Sequence, residues 1–275
     1  MKVSVIMVSD NMCKLLRQSL AALKRSVQHL DAEIILVDNN SDDNTVETIS
    51  REFPDVKITT TTGGLSHCVN QGIKMAKGEY LLFLSPDAIT KKETVSKAIQ
   101  FMDSHITAGG LSVRMLDIDG NYMQASKKTV PRRWVTLLKL TGLLKQFSKS
   151  RLTDHYIARH DDEFDTTETD VMHDRFMLIR KSVMDVVGLV DERFNRYGAN
   201  IDLSYRIRLA GFRNYYFPKT YIINLQYNRS GKFSWNNLKS FYGAMFIFAV
   251  KYIFRLPALG EKPAQELYPA YELKG

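Results

Sequence analysis

Glu33-Ile34-Ile35-Leu36-Val37-Asp38-Asn39-Asn40-Ser41-Asp42-Asp43 decides the fold. An unbroken apolar run of this kind suits a strand buried on both faces. It runs directly into a turn rich in acids and amides. The same grammar recurs on either side. Val3–Val8 leads into Ser9-Asp10-Asn11, Val56–Thr60 forms a third strand, and Tyr80–Leu84 leads into Ser85-Pro86-Asp87. Helical patterns separate them at Lys14–Leu30, Asn44–Phe53, Leu65–Lys77 and Lys91–Ser104. Strands alternating with helices of this length predict a parallel sheet covered on both faces, with right-handed crossovers. Ligands of such sheets sit beyond the carboxyl ends of the strands.

The polar clusters at those ends are therefore the candidate site. Each has an ordinary structural explanation. Asp38 to Asp43 is also a turn and helix N-cap, and Ser85-Pro86-Asp87 is also a plain turn. Three such clusters at equivalent strand ends favour a functional role. Carboxylates there suit ribose hydroxyls, a base N–H, or a hard cation bridging a diphosphate. Neither GxGxxG nor GxxxxGK[ST] occurs, which removes the main support for dinucleotide and Walker-type sites. The pair Gly63-Gly64 is weak evidence by itself.

The chain has 275 residues, 44% of them apolar and 25% charged, enough to bury a substantial core. Disorder, collagen and low complexity are excluded. Two cysteines, Cys13 and Cys68, make no disulfide framework and no CxxC, as expected of a reducing, cytoplasmic setting. The apolar run after Lys2 is a strand, too short for a secretory segment.

The net charge of +8 is concentrated. Lys127, Lys128, Arg132, Arg133, Lys139, Lys145, Lys149 and Arg151 fall in one window without an acid, and they match the whole net charge. The following stretch reverses sign, with Asp154, Asp161, Asp162, Glu163, Asp165, Glu168 and Asp170 against Arg159. The basic block is a solvated face, a contact for an anionic membrane surface, or a contact for an anionic substrate. Nucleic acid is set aside, because no recognition motif accompanies the block and the sheet-end acids would repel phosphate.

Several segments together resemble family 2 glycosyltransferases of the GT-A fold, and the rhamnosyltransferase-like branch in particular. They are VSVIMVSDN, EIILVDNNSDDNT, GGLSHCVNQGIKMAKGEYLLFLSPDA, FMLIRKSVMDVVGLVDERF, YGANIDLSYRIRLAGFRNYYFP and a late Ser230. They run in family order from Val3 to about Ser230. The resemblance implies an α/β GT-A fold, with a Rossmann-like half, a mixed central sheet and helices on both faces. It divides residues 1–230 into a nucleotide-sugar half (1–115) and an acceptor half (116–230), leaving 231–275 as a C-terminal helix and extended tail. It also implies a nucleoside-diphosphate sugar donor, a divalent metal (Mg or Mn) and inverting transfer to a hydroxyl. Asp38 matches the family aspartate that contacts the nucleoside, with Ser9 and Asn40 beside it. Asp87 matches the last aspartate of the metal-binding triplet, and Ser85 stands where the family has Asp or Asn.

Departures from the family pattern are concentrated at the chemistry. An inverting transfer needs a base to take the acceptor's hydroxyl proton. The family's acidic pair has become Ala199-Asn200, and an amide has no useful basicity. The family's metal-binding histidine corresponds to Asn224, a poorer, uncharged ligand. A small-residue segment ahead of Phe176 has become His173-Asp174-Arg175. Two readings stay open. Either the protein keeps the fold without transfer and supports an active partner, or the chemistry has moved. In the second case His173 or Asp174 serves as base or metal ligand, Arg175 neutralises the leaving diphosphate, and Asn200 positions the acceptor. A surface ion cluster is the plainer explanation of His173-Asp174-Arg175. Asp202 reads as a helix-start acid favoured by the macrodipole.

Apolar residues from Trp134 to Phe147 recur at helical spacing with Lys139 and Lys145 interleaved, as in an amphipathic helix on a core or on a bilayer. Phe241–Val250 is apolar but far short of the roughly 20 residues of a spanning helix. The expected acceptor is a surface glycan or lipid-linked saccharide. The expected location is cytoplasmic and peripheral, on the inner face of the membrane. Pro257, Pro263 and Pro269 mark an extended tail.

Overall fold

The structure, a computed structural model, describes residues 1–126, 163–194, 197–225 and 235–253. In chain order the elements are β1 (Val3–Ser9), α1 (Cys13–Val27), β2 (Ala32–Asp38), α2 (Thr45–Glu52), β3 (Lys57–Thr60) and α3 (Leu65–Met75). Then come β4 (Tyr80–Leu84), β5 (Ala88–Thr90), α4 (Thr94–Ser104), β6 (Ala108–Leu116), β7 (Thr167–Glu168) and β8 (Phe176–Arg180). The last are α5 (Lys181–Val187), α6 (Ala199–Leu209), β9 (Arg213–Asn224) and α7 (Trp235–Ile253). The basic block, the amphipathic pattern from Trp134 to Phe147, Ser230 and the proline-marked tail lie outside the described residues.

One mixed sheet carries the strands in the order β3-β2-β1-β4-β8-β6-β9-β5, with β7 beside β9. The expected parallel part is present: β1 runs parallel to both β2 and β4, and β2 parallel to β3. β8 then enters antiparallel between β4 and β6, and β5 pairs antiparallel with β9. Successive side chains of a strand face opposite sides, so a strand covered twice must be apolar throughout. Val3, Val5, Met7, Ile34, Leu36 and Leu82 meet Leu16, Leu20 and Leu23 of α1 and Val95 and Ile99 of α4 in one core. Ile6, Ile35, Val37, Leu81 and Phe83 face the other way, onto Cys68 and Ile73 of α3, Val183 of α5, and Leu203 and Ile207 of α6. The approach of α3 to β1 is so close that a Cβ on Gly72 would stand 2.4 Å from Ile6 Cγ2.

The first four strands fall where the sequence puts them, within two residues at each end. The fourth helix starts later than expected. β5 ends at Thr90, three residues separate it from the helix, and the Lys91 N–H donates to Thr94 Oγ1 at 3.0 Å. The apolar run from Phe241 belongs to a longer helix of 19 residues, α7. Ala244, Phe248 and Tyr252 recur every fourth residue and pack on Val171, Phe194 and Tyr205. Among the described residues no helix is long and apolar enough to cross a membrane.

Candidate functional site

The carboxyl ends of β1, β2 and β4 lie side by side, with β1 in the middle. Ser9 closes β1, in register with Asp38 at the end of β2. Both are fully buried, and among the described residues the Ser9 hydroxyl has no hydrogen-bond partner. Asp38 accepts the backbone N–H of Ser41 at 2.8 Å and the Ser41 hydroxyl at 2.7 Å. Asn40 is exposed and adopts a left-handed backbone (φ 54°), which asparagine tolerates better than most residues. Asn11 is left-handed too (φ 53°). Its amide oxygen takes the Asp42 N–H, and its own N–H goes to Ser41 Oγ, tying the β1 and β2 loops together. Asn39 reaches the third loop, accepting the Gly63 N–H at 3.2 Å.

The turn after β4 holds Asp87, which is fully buried. Its Oδ1 accepts the Ser85 hydroxyl at 2.5 Å, and its Oδ2 takes the Arg175 guanidinium in a very short contact. Arg175 Nη1 also lies 3.2 Å from Ser85 Oγ. The strand pairing brings Arg175 here, because the Arg175 carbonyl accepts the Ser85 N–H just beyond the Leu84–Phe176 pair. β5 and β9 bring Asn224 to the same corner: Asn224 pairs with Ala88, and the Leu225 N–H goes to the Asp87 carbonyl at 3.0 Å. Asn224 is buried.

Of His173-Asp174-Arg175, His173 and Arg175 turn inward while Asp174 stays at the surface. His173 is buried, and its Nδ1 accepts the Arg175 backbone N–H at 3.0 Å. Asp174 is exposed and stands 3.2 Å from the same ring nitrogen. Asn200 comes to this segment from α6, donating its amide N–H to the Met172 carbonyl at 2.8 Å. The left-handed Gly198 (φ 91°) precedes that helix start.

The aspartate two residues on lies in the first turn of α6, as expected of a helix-start acid, and it is also the centre of a buried ion network. Asp202 is fully buried. Its Oδ2 accepts Arg206 Nε at 2.8 Å, and its Oδ1 accepts Lys251 Nζ at 2.7 Å and the Tyr252 hydroxyl at 2.5 Å. Arg206 continues into the carbonyls of Gly188 and Leu189 at 3.1 and 3.0 Å. Sequence spacing shows the Asp202–Arg206 step of one helical turn, but nothing local points to Lys251 or Tyr252.

The resemblance implies a divalent metal at Asp87 and Asn224, and the donor set of this chain does not fit one. A hard divalent cation that bridges a diphosphate takes one or two protein carboxylates and completes its shell with phosphate oxygens and water. Among the described residues the corner offers one carboxylate, and both its oxygens are engaged, one of them by a guanidinium whose charge opposes a cation, with an amide beside it. Among the described residues no group of three or more His, Cys, Asp and Glu could hold a metal ion.

The family described as "Glycosyl transferase family 2" matches residues 4–187, well over half of the chain. The poly(ribitol-phosphate) β-N-acetylglucosaminyltransferase TarS of Staphylococcus aureus is 32% identical over 146 residues, half of this chain but only 25% of that protein's length. The N-acetylglucosaminyl-diphospho-decaprenol L-rhamnosyltransferase of Mycobacterium tuberculosis is 23% identical over 251 residues, covering 85% of this chain and 79% of that one. The structure of S. aureus TarS residues 1–349 in complex with UDP superposes with a TM-score of 0.56 at 19% identity, over 91% of this chain and 65% of that one. GalNAc-T7 with UDP, GalNAc and Mn2+ superposes with a TM-score of 0.57 at 18% identity, over 82% of this chain and 44% of that one. At such identities the superpositions show the GT-A fold alone. The sequence match, which begins inside β1 and ends with α5, goes further: this chain belongs to glycosyltransferase family 2.

Proposed function

We propose that the protein transfers a sugar, with inversion, from a nucleoside-diphosphate donor to a hydroxyl of a surface glycan or lipid-linked saccharide. One observation carries this reading: two fully buried aspartates, Asp38 and Asp87, close the carboxyl edge of the sheet on either side of a Ser9 hydroxyl to which no described residue bonds. Asp38, with Ser9 and Asn40, takes the nucleoside, and Asp87 with Arg175 takes the diphosphate. The UDP complex of TarS supports a nucleoside diphosphate. The rhamnosyltransferase relative supports a deoxyhexose and a lipid-linked acceptor. A cytoplasmic, membrane-peripheral setting would suit such an acceptor. Its basis is the basic segment from Lys127 to Arg151, which lies outside the described residues.

The proton acceptor is Asp174. Asn200 has no basicity, and its amide is engaged with the Met172 carbonyl. His173 is buried, and its Nδ1 is already occupied by the Arg175 N–H and the Asp174 carboxylate. Asp174 is an exposed carboxylate on the same segment, able to reach an acceptor hydroxyl from solvent. Asn200 and His173 then orient the acceptor. The test is transfer from uridine- and thymidine-diphosphate sugars, with the product anomer read by NMR. Asp174→Asn should lower kcat by about 10²- to 10⁴-fold, and an unchanged kcat would remove Asp174 from the chemistry. Asn200 favours a second reading, a protein that binds donor without transfer and assists an active partner. Nucleotide binding with no turnover of any donor would select it.

A further inference from the structure

We propose that the Arg175 guanidinium takes the place of a divalent cation, so that this protein binds the diphosphate of its donor without metal. The inference rests on the donor reading above and deepens it. The reasoning is one of charge and occupancy. A diphosphate leaving group needs positive charge beside it, and either a cation or a guanidinium supplies that charge. Among the described residues Asp87 is the carboxylate at the corner, and Arg175 covers its Oδ2 while Ser85 donates to its Oδ1. A metal would have to displace a charge-assisted bond of the strong kind to reach it. Asn224 adds only an uncharged amide, which does not offset the guanidinium charge already at the corner. Arg175 itself is not spent on Asp87. It is partly exposed, 29% against 0% for its partner, and a guanidinium has five N–H donors in a fork that matches phosphate oxygens.

Asp87 thereby becomes a positioning residue. It fixes the guanidinium from below and leaves the outer N–H groups to the ligand. Backbone pairing makes the arrangement firm, because Arg175 leads directly into β8 and its carbonyl is bonded to Ser85 N–H. A flexible lysine would make a poorer substitute, since its charge is a point on a mobile stem.

The experiment is titration calorimetry of the full chain with uridine, thymidine and guanosine diphosphates, once in EDTA and once in manganese chloride. At least one should bind in EDTA, with an affinity within about threefold of that in manganese. Arg175→Ala should weaken binding in EDTA by about tenfold to a hundredfold while leaving the affinity for the bare nucleoside unchanged. It should also make binding manganese-dependent, because it frees the Asp87 carboxylate. A purely structural Arg175 would not create that dependence. Should Arg175→Ala fail to fold, Arg175→Lys provides the measurement: it keeps the charge, and binding in EDTA should persist at reduced affinity. Binding by the native chain only with manganese, or an Arg175 variant with undiminished binding in EDTA, overturns the proposal and leaves the donor reading standing. Absence of heat with all three diphosphates in both buffers overturns both.

Discussion

Asp87 and Asp202 are both fully buried, and both are paired with an arginine, yet they sit in opposite kinds of place. Asp202 is sealed. Arg206 is only 5% exposed, and Lys251 and Tyr252 close over the other carboxylate oxygen. Every donor in that network ends on protein, so its role is to hold α7 against α6. Asp87 lies at the mouth of the strand ends, and its arginine keeps one side toward solvent. A buried acid with an ion-pair partner is thus no indicator of function by itself. The partner's exposure separates a fastening from a site.

The largest expected effect tests the fastening. Asp202→Ala leaves Arg206 and Lys251 without their shared anion, and breaking a buried pair by removing one member costs about 3–5 kcal/mol. The melting temperature should fall accordingly, while the molecules that remain folded bind nucleoside diphosphate with native affinity. A loss of affinity in the folded fraction would place Asp202 in the site and erase the distinction. The opposite pattern is expected at the sheet edge. Asp38→Ala should cut nucleoside diphosphate affinity by about tenfold to a hundredfold, the scale of hydrogen bonds to a charged group. Its effect on the melting temperature should be small, because only the Ser41 turn depends on it. A large destabilisation with intact binding would make Asp38 a turn residue only.

Much of this contrast is invisible along the chain. β1, β2 and β4 are legible because burial on two faces forces an apolar run, and their polar ends follow from the turns they feed. β5 and β7 are two or three residues long and exist only through β9, so no periodicity announces them. Asp38 and Asp87 stand out in the sequence as acids at strand ends. The contact from Arg175 to Asp87 does not, because β8 inserts next to β4 from 88 residues away. Likewise Ala199-Asn200 shows a missing base in the sequence, but the bond from Asn200 to the Met172 carbonyl appears only when α6 docks.

The smallest effect sharpens the fastening side and follows from Asp191. Burial works against its charge, but hydrogen bonds from Arg193 and Lys251 outweigh that and hold its carboxyl well below the ordinary 3.8. Asp191 shares Lys251 with Asp202, at 2.9 and 2.7 Å, and so belongs to the clamp on α7. A carboxyl depressed in the folded state binds fewer protons there than in the unfolded chain. Its stabilisation is therefore complete above the unfolded value and is lost as pH falls toward the folded one. Melting curves of the native chain and Asp191→Asn should differ by a constant amount above about pH 5 and converge as the pH drops below about 4. Convergence on raising the pH instead would mean that Asp191 is not held by those cations. Lys251 would then serve Asp202 alone, and the clamp on α7 would rest on Asp202 with Lys251 and Tyr252, without Asp191.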